Sequence, residues 1–414
     1  MKKVLVTGLF TQAGLFAVRR FGKMGFEVTA ADCHHLSFGL YSKYVSKRVK
    51  LPSLRKHPEK YAQAIINLLK KEPFDYYFPS FEELFLLSSY RDEILSLTNS
   101  VIPEKSAAKS LHDKAVLRKT VKLSNCFYPE TFIPQSYEDF TKNIMNFETP
   151  LYIKIRQSRN STGLRLVNSL LDLRKMFDDV ISRNDLNNRE LPIIQRKISG
   201  REICYGALAQ NGKVIGESQH FGIRSIPRSG GTTTSRESCF CNDCSKAAEN
   251  FIKSIKWNGF ISIDFIIENG TGKPYIIDVN PRPSVCVNVA YNGGVDMIPQ
   301  WMKIADNVEA EKLSQIKTGI RSSTHFADVI WMLYTYIKGP ESWEERKKMR
   351  KQWWGERKNM FYDIICKDDR RPRFVLNLFL LVQSFKMLFS KIEPSNLFLY
   401  YNSYSDSFLK KKKH

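Results

Sequence analysis

Three oxygen-bearing side chains stand out by their spacing. In the segment ISIDFIIENGTGKPYIIDVNPRPS, residues 261–284, Asp264 interrupts an apolar run, and Asp278 and Asn280 lie two apart on a second run. Residues two apart on a strand point to one face. The intervening Asn-Gly-Thr-Gly, 269–272, supplies the positive-φ positions that a hairpin needs. The spacing therefore predicts a hairpin on which Asp264, Asp278 and Asn280 converge, a set of hard oxygens suited to Mg²⁺ carried by a nucleotide. Arg282, two residues further, would face the anion held there, and Pro281 and Pro283 stop the strand. On spacing alone, the same residues could equally be ordinary surface or capping groups.

Two other segments carry chemistry-bearing residues. Arg224-Ser-Ile-Pro-Arg228-Ser-Gly-Gly is followed by three threonines, a composition that suits a mobile anion-binding loop with Arg224 and Arg228 facing the active site. A solvated loop would look alike. Cys239, Cys241 and Cys244 have metal-like spacing, but no fourth ligand lies nearby and His220 would have to be recruited by the fold.

The elements that must position these groups fall into three parts. Strands at 3–7, 27–31 and 75–79 alternate with helices at 13–24 and 61–70, the pattern of a parallel sheet with helices on both faces. Gly8 and Gly14 lack the G-x-G-x-x-G spacing of a dinucleotide site, and Gly8 simply permits a tight turn. A helix over 110–123 leads through a loop with Pro129 and Pro134 to an extended segment at 151–155. Strands at 166–168, 193–195, 202–209 and 213–216 and a helix at 245–255 precede the hairpin. Beyond 323 the chain turns helical, aromatic and basic. The division is thus 1–105, then 106–322 in halves meeting at 190/191, then an appended domain at 323–414.

Composition narrows the classes. With 64 Lys and Arg against 42 Asp and Glu the net charge is +22, which attracts polyanions or phosphorylated substrates. No nucleic-acid module signature accompanies it, so nucleic acid is an unlikely partner. The 8 cysteines form no disulfide framework. With no apolar leader and no run long enough to span a bilayer, the expected location is the cytoplasm. The apolar stretch 374–389, followed by Lys391 and Lys410 to Lys413, could instead be core of its own domain or lie on an anionic membrane at its inner face.

The hairpin resembles the last core strands of the ATP-grasp superfamily, with an acid on the first strand and Asp278-Val-Asn280-Pro-Arg282 on the second. Further segments follow in the family's order over residues 1–300. Asp113-Lys114 is similar to its Asp-Lys pair, and Lys154 in Pro-Leu-Tyr-Ile-Lys-Ile to its strand lysine. Residues 158–163, with Ser161 and Gly163, are similar to its phosphate loop, and IIQRKISGRE, 193–202, to its adenine hinge. Pro79-Ser80 and Glu82-Glu83 look like the end of a carbamoyl-phosphate-synthase-like pre-ATP domain.

The resemblance implies an α/β ATP-grasp fold with a Rossmann-like pre-ATP domain and a mainly helical C-terminal extension. It implies ATP and Mg²⁺ (or Mn²⁺) as cofactors, and a small-molecule carboxylate joined to an amine through an acyl phosphate with release of ADP. It also implies that Lys114 and Lys154 meet the phosphates, that Gln195, Arg196 and Ile198 flank adenine, that Glu202 holds the ribose, and that Arg282 holds the substrate carboxylate or the acyl phosphate. Gln195 and Asp278 stand where Glu is usual, which touches metal geometry more than reaction class. Amino-acid ligases acting on envelope precursors are among the relatives it suggests. The other classes are an ATP-binding regulatory module without turnover and, against the glycine pattern, a nicotinamide oxidoreductase.

Overall fold

The computed structural model describes residues 1–157, 163–184, 186, 190–226 and 232–388. The first part alternates strand and helix: β1 (Lys3–Thr7), α1 (Gln12–Lys23), β2 (Glu27–Asp32), β3 (Val45–Lys50), α2 (Pro58–Lys71), β4 (Tyr76–Phe78), α3 (Glu83–Leu87) and α4 (Arg91–Leu95). Its sheet, ordered β3-β2-β1-β4, is parallel throughout, as the alternating pattern requires. Its strand ends are tied to one another: the Ser80 hydroxyl donates to the Thr7 carbonyl at 2.6 Å, and Glu83 accepts from the Thr7 hydroxyl at 2.7 Å. Gly8 has a positive φ of 72°, and a Cβ there would sit 2.5 Å from the Ser80 hydroxyl oxygen, so this close approach needs glycine.

The second part holds α5 (Lys105–His112), α6 (Lys114–Leu123), β5 (Thr131–Phe132), α7 (Tyr137–Asn143), β6 (Leu151–Lys154), β7 (Arg165–Val167), α8 (Leu170–Asn184) and β8 (Ile193–Arg196). Four antiparallel strands, ordered β5-β8-β6-β7, pack Ile153 and Val167 against Leu173 and Phe177 of α8 and Phe140 of α7. The helix expected over 110–123 is two helices. Asp113 is extended between them, and its carboxylate accepts from the Ala115 amide at 2.8 Å, ending one helix and capping the next.

The remainder comprises β9 (Gly200–Gln210), β10 (Lys213–Ile226), β11 (Thr232–Cys239), α9 (Asn242–Ser254), β12 (Gly259–Glu268), β13 (Pro274–Asn280), α10 (Cys286–Asn292), α11 (Ile298–Ala305), β14 (Arg321–Ser323), α12 (His325–Lys338), α13 (Trp343–Glu356), β15 (Met360–Tyr362) and α14 (Arg371–Leu388). Seven strands form one sheet, ordered β13-β12-β9-β10-β11-β14-β15. On β9 and β12, Ile203, Tyr205, Ile261, Ile263 and Phe265 are buried against α9. The period of two turns Glu202, Cys204, Ser262 and Asp264 to the opposite face. The whole site is built on that second face.

The appended C-terminal part is mainly helical, yet it shares the large sheet. β14 straddles the boundary expected at 322/323, and β15 extends the same sheet in parallel. Helices α12 to α14 bury Ala327, Trp331, Trp353 and Leu376 against Leu15 and Phe38 of the first part. Among the described residues no helix is long and apolar enough to cross a membrane. Residues 389–414, which carry Lys391 and Lys410 to Lys413, lie outside the described residues.

An ion pair fastens these helices to the sheet. Arg224 on β10 donates to both Asp328 oxygens at 2.7 and 3.0 Å and to Glu356 at 2.5 Å. Asp328 also accepts from the Trp353 indole at 2.8 Å and from the Thr234 hydroxyl at 3.1 Å. Arg224 and Asp328 are both buried, so removing one partner strands the other's charge in a dry setting. Asp328→Ala is expected to lower the unfolding free energy by about 3–5 kcal/mol, measured by urea denaturation. A loss below about 1 kcal/mol would show that the pair is not a fastening.

Candidate functional site

The hairpin forms as the spacing predicts. Asp264 of β12 pairs in register with Asp278 of β13, and Ser262 with Asn280, so the two acids and the amide share a face. One extra residue on β13 bulges between the pairs Asp264/Asp278 and Phe265/Ile276, which ends regular pairing beside the acids. Like charges placed directly opposite repel. Burial pushes the Asp264 carboxyl up to about 8, and the neighbouring Asp278 and Glu202 push it the same way.

Two lysines arrive from the second part. Lys114, the first residue of α6, is buried and places its ammonium 3.4 Å from Asp278. It is held by the Asp113 cap, whose carboxylate also accepts from the Arg156 guanidinium at 3.1 and 2.6 Å, while the Lys114 amide donates to the Arg156 carbonyl at 3.1 Å. Lys154 ends β6, and its charge interacts with Lys114, Asp278, Glu202 and Asp264. Burial and the Lys114 charge hold its ammonium down to about 8, against the pull of the three carboxylates.

Arg282 follows the strand end and lies 4.7 Å from the Phe81 ring, which joins the hairpin to the first part. Its Nε is buried with no hydrogen-bond partner, so a donor remains for an anion. Glu202 is exposed on β9 at the mouth of a cavity of about 480 Å³, lined also by Arg201, Cys204 and His220 on the sheet and by Trp331, Gln352 and Trp353 on the C-terminal helices.

A model of the ATP-grasp domain matches residues 113–285. Residues 113–285 are an ATP-grasp domain. No curated protein sequence matches the chain. Among solved structures, the biotin carboxylase domain of the Hydrogenobacter thermophilus 2-oxoglutarate carboxylase, in complex with MgADP, ADP and bicarbonate, is similar at TM-score 0.64 and 17% identity, over 77% of this chain and 73% of that one. N5-carboxyaminoimidazole synthetase from Staphylococcus aureus, complexed with ADP, is similar at TM-score 0.60 and 14% identity, over 77% and 80%. The L-amino acid ligase of Bacillus licheniformis is similar at TM-score 0.61 and 15% identity, over 75% and 78%. These likenesses establish the fold.

Within the ATP-grasp domain the structure brings together Lys114, Lys154, Glu202, Asp264, Asp278 and Asn280, with Arg282 at the strand end. The hinge residues lie on and just beyond β8, the strand that pairs with the one ending in Lys154. Gln195 is buried and donates to the Thr131 hydroxyl at 2.9 Å. The Arg196 amide is taken by the Glu130 carbonyl at 2.8 Å and its guanidinium by Glu268 at 3.2 Å, while Ile198 buries its side chain.

Gly163 has a φ of 69° and lies against Ile155. Ser161 and Arg228 lie outside the described residues. Arg224 is no loop residue. β10 runs on to Ile226, and the Arg224 guanidinium, though on the cavity wall, is bound by Asp328 and Glu356 rather than left open to an anion.

Sequence reasoning passed over Arg156, which fixes the Asp113 cap, and Cys204 and Cys286, which approach each other at 3.5 Å. Cys204 was within reach, because it lies two residues from Glu202 on one strand. The cysteines that did stand out are neighbours but form no three-ligand cluster: Cys241 caps α9, its sulfur accepting from the Cys244 amide at 3.5 Å, and Cys241 and Cys239 both act on the Cys244 thiol. Among the described residues the cluster of three His, Cys or acidic ligands is Cys204, His220 and Cys286.

The donor set suits a hard divalent cation, since Asp264, Asp278 and Asn280 offer oxygens where negative charge is in excess. A raised acid pKa favours the fold below the ordinary carboxyl value of about 4 and loses that contribution as pH rises through about 8. Mg²⁺ without nucleotide is therefore expected to raise the melting temperature more at about pH 9 than at about pH 6, read by scanning fluorimetry. Asp264→Asn should abolish that difference. An equal Mg²⁺ effect at both pH values would contradict the assignment.

Proposed function

We propose that the chain is an ADP-forming ligase that activates a carboxylate with ATP and joins it to an amine. The observation that carries this reading is the register pairing of Asp264 with Asp278, with the Lys114 ammonium 3.4 Å from Asp278 and the Lys154 charge beside both. The arrangement interleaves a cation site with two phosphate-neutralising lysines, which phosphoryl transfer needs more than it needs a nucleophilic side chain.

In this reading Asp264, Asp278 and Asn280 hold Mg²⁺ or Mn²⁺, which when bound supplies charge neutralisation for the β- and γ-phosphates. Lys114 and Lys154 bind phosphate oxygens. Gly163 is assigned to phosphate binding. The main chain at Arg196 and Ile198 borders the adenine beside Gln195, and Glu202 takes the ribose hydroxyls.

Arg282 orients the carboxylate through its open Nε donor. A carboxylate oxygen attacks the γ-phosphorus and the bond to ADP breaks; the amine nitrogen then attacks the acyl carbon of the acyl phosphate, the C–O bond to phosphate breaks, inorganic phosphate leaves and the nitrogen gives up a proton. Arg224 is assigned to holding the C-terminal helices that wall the acceptor cavity.

ADP release with MgATP against a panel of carboxylic acids and amino acids tests the proposal. The matching pair should release ADP and phosphate in equal amounts, and Asp264→Asn and Lys154→Met should each lower turnover by about 10²–10³-fold. Wild-type turnover in Asp264→Asn would remove the metal assignment. Tight ATP binding with no turnover across the panel would favour a regulatory module.

A further inference from the structure

Three side chains converge on the same face of the large sheet, one strand inward from the hairpin acids and adjoining them where Cys204 pairs with Asp264 and its thiol meets that carboxyl. Cys204 of β9 and His220 of β10 are register partners, and Cys286 opens α10 above them. The Cys204 and Cys286 sulfurs are 3.5 Å apart, Cys286 Sγ is 3.7 Å from His220 Nδ1, and one ligand atom from each residue lies within 4.8 Å of the others. A tetrahedral zinc ion with bonds of about 2.3 Å to sulfur and about 2.0 Å to nitrogen needs ligand separations of roughly 3.5–3.8 Å. Two of the three edges already have that length.

The fold is built to hold this approach. A Cβ on Gly206 would lie 2.3 Å from Cys286 Cβ, so a side chain at 206 would push α10 off the sheet. The Cys286 carbonyl accepts from the Ser218 hydroxyl at 3.0 Å, and its amide donates to the Ser284 hydroxyl at 3.2 Å, pinning the residue at both ends. Cys286 and His220 are 2% and 3% exposed, which fixes their orientation. Cys204 and His220 also line the cavity beneath the C-terminal helices, so the trio has one open side.

We propose that Cys204, His220 and Cys286 bind a zinc-class transition-metal ion, with the fourth coordination position open to that cavity. Three protein ligands and one open position is the arrangement by which zinc takes a water or a substrate atom. The donors separate this site from its neighbour: thiolates and imidazole select zinc-class ions, whereas the hairpin's carboxylates and amide select Mg²⁺. Binding releases two thiol protons to solvent, and two thiolates with a neutral imidazole balance the doubly charged ion.

The site does not depend on nucleotide, so the full chain is tested without ATP. The reduced, chelator-stripped protein is titrated with Co²⁺ alone. The expected result is a stoichiometric thiolate-to-cobalt charge-transfer band that Zn²⁺ displaces, is lost in the double variant Cys204→Ser/Cys286→Ser and weakens in His220→Gln. Cys241→Ser should leave it unchanged. A second measurement needs no variant: stoichiometric Zn²⁺ should abolish alkylation of Cys204 and Cys286 in the native chain, mapped by peptide mass spectrometry. Absence of the band after reduction, a band dependent on Cys241, or unprotected Cys204 and Cys286 would each overturn the proposal.

Discussion

Asp264 and Asp278 face each other across adjacent strands, and most of the ATP-grasp domain can be understood as what makes that opposition tolerable. Two like charges in register destabilise a sheet, and burial of Asp264 deepens the cost. Lys114 from the start of α6 and Lys154 from the separate four-stranded sheet offset part of it. Each needs its own support: Lys114 the Asp113 cap tied to Arg156, Lys154 the β6 strand end that Arg156 follows. A hydrophobic core alone would not assemble such a group. Clustered, strongly perturbed charges of this kind are found more often at functional sites than in purely structural ones.

The hairpin was legible because its information is local. A period of two, an Asn-Gly turn and two prolines fix which side chains share a face and where the strand ends. The strand that carries Lys154 was legible for the same reason, while its lysine stood out only through the resemblance. Long-range devices were not. β11 and the second half of β10 are rich in Ser, Thr and Arg, and their pairing is irregular around Gly222 to Ser225, so they read as loop although they pair along their length. β14 and β15 are three residues each and have no periodicity to detect. The break at Asp113 hid inside a helical pattern because one carboxylate serves as both stop and cap.

Arg224 shows how type and spacing can mislead. An arginine beside Pro, Ser and Gly looks like an anion ligand, but its meaning depends on Asp328 and Glu356, more than a hundred positions away. Cys204 and Cys286 pose the converse problem. Neither cysteine is unusual in its own segment, and the glycine that lets them meet, Gly206, is an unremarkable strand residue until α10 is packed on it. The C-terminal helices likewise gain significance only in three dimensions, as the wall of a cavity whose other wall is the face of the sheet that carries Glu202, Cys204 and His220.

The central claim is that the paired acids of β12 and β13 would hold the divalent cation that accompanies ATP. Its most direct measurement is electron–nuclear resonance of protein-bound Mn²⁺ in the presence of ATP, comparing the native chain with Asp264→Asn/Asp278→Asn. The account predicts manganese coupled to phosphorus in an immobilised, protein-bound environment, replaced in the double variant by the signal of freely tumbling Mn²⁺-ATP. An unchanged protein-bound spectrum in that variant would contradict it.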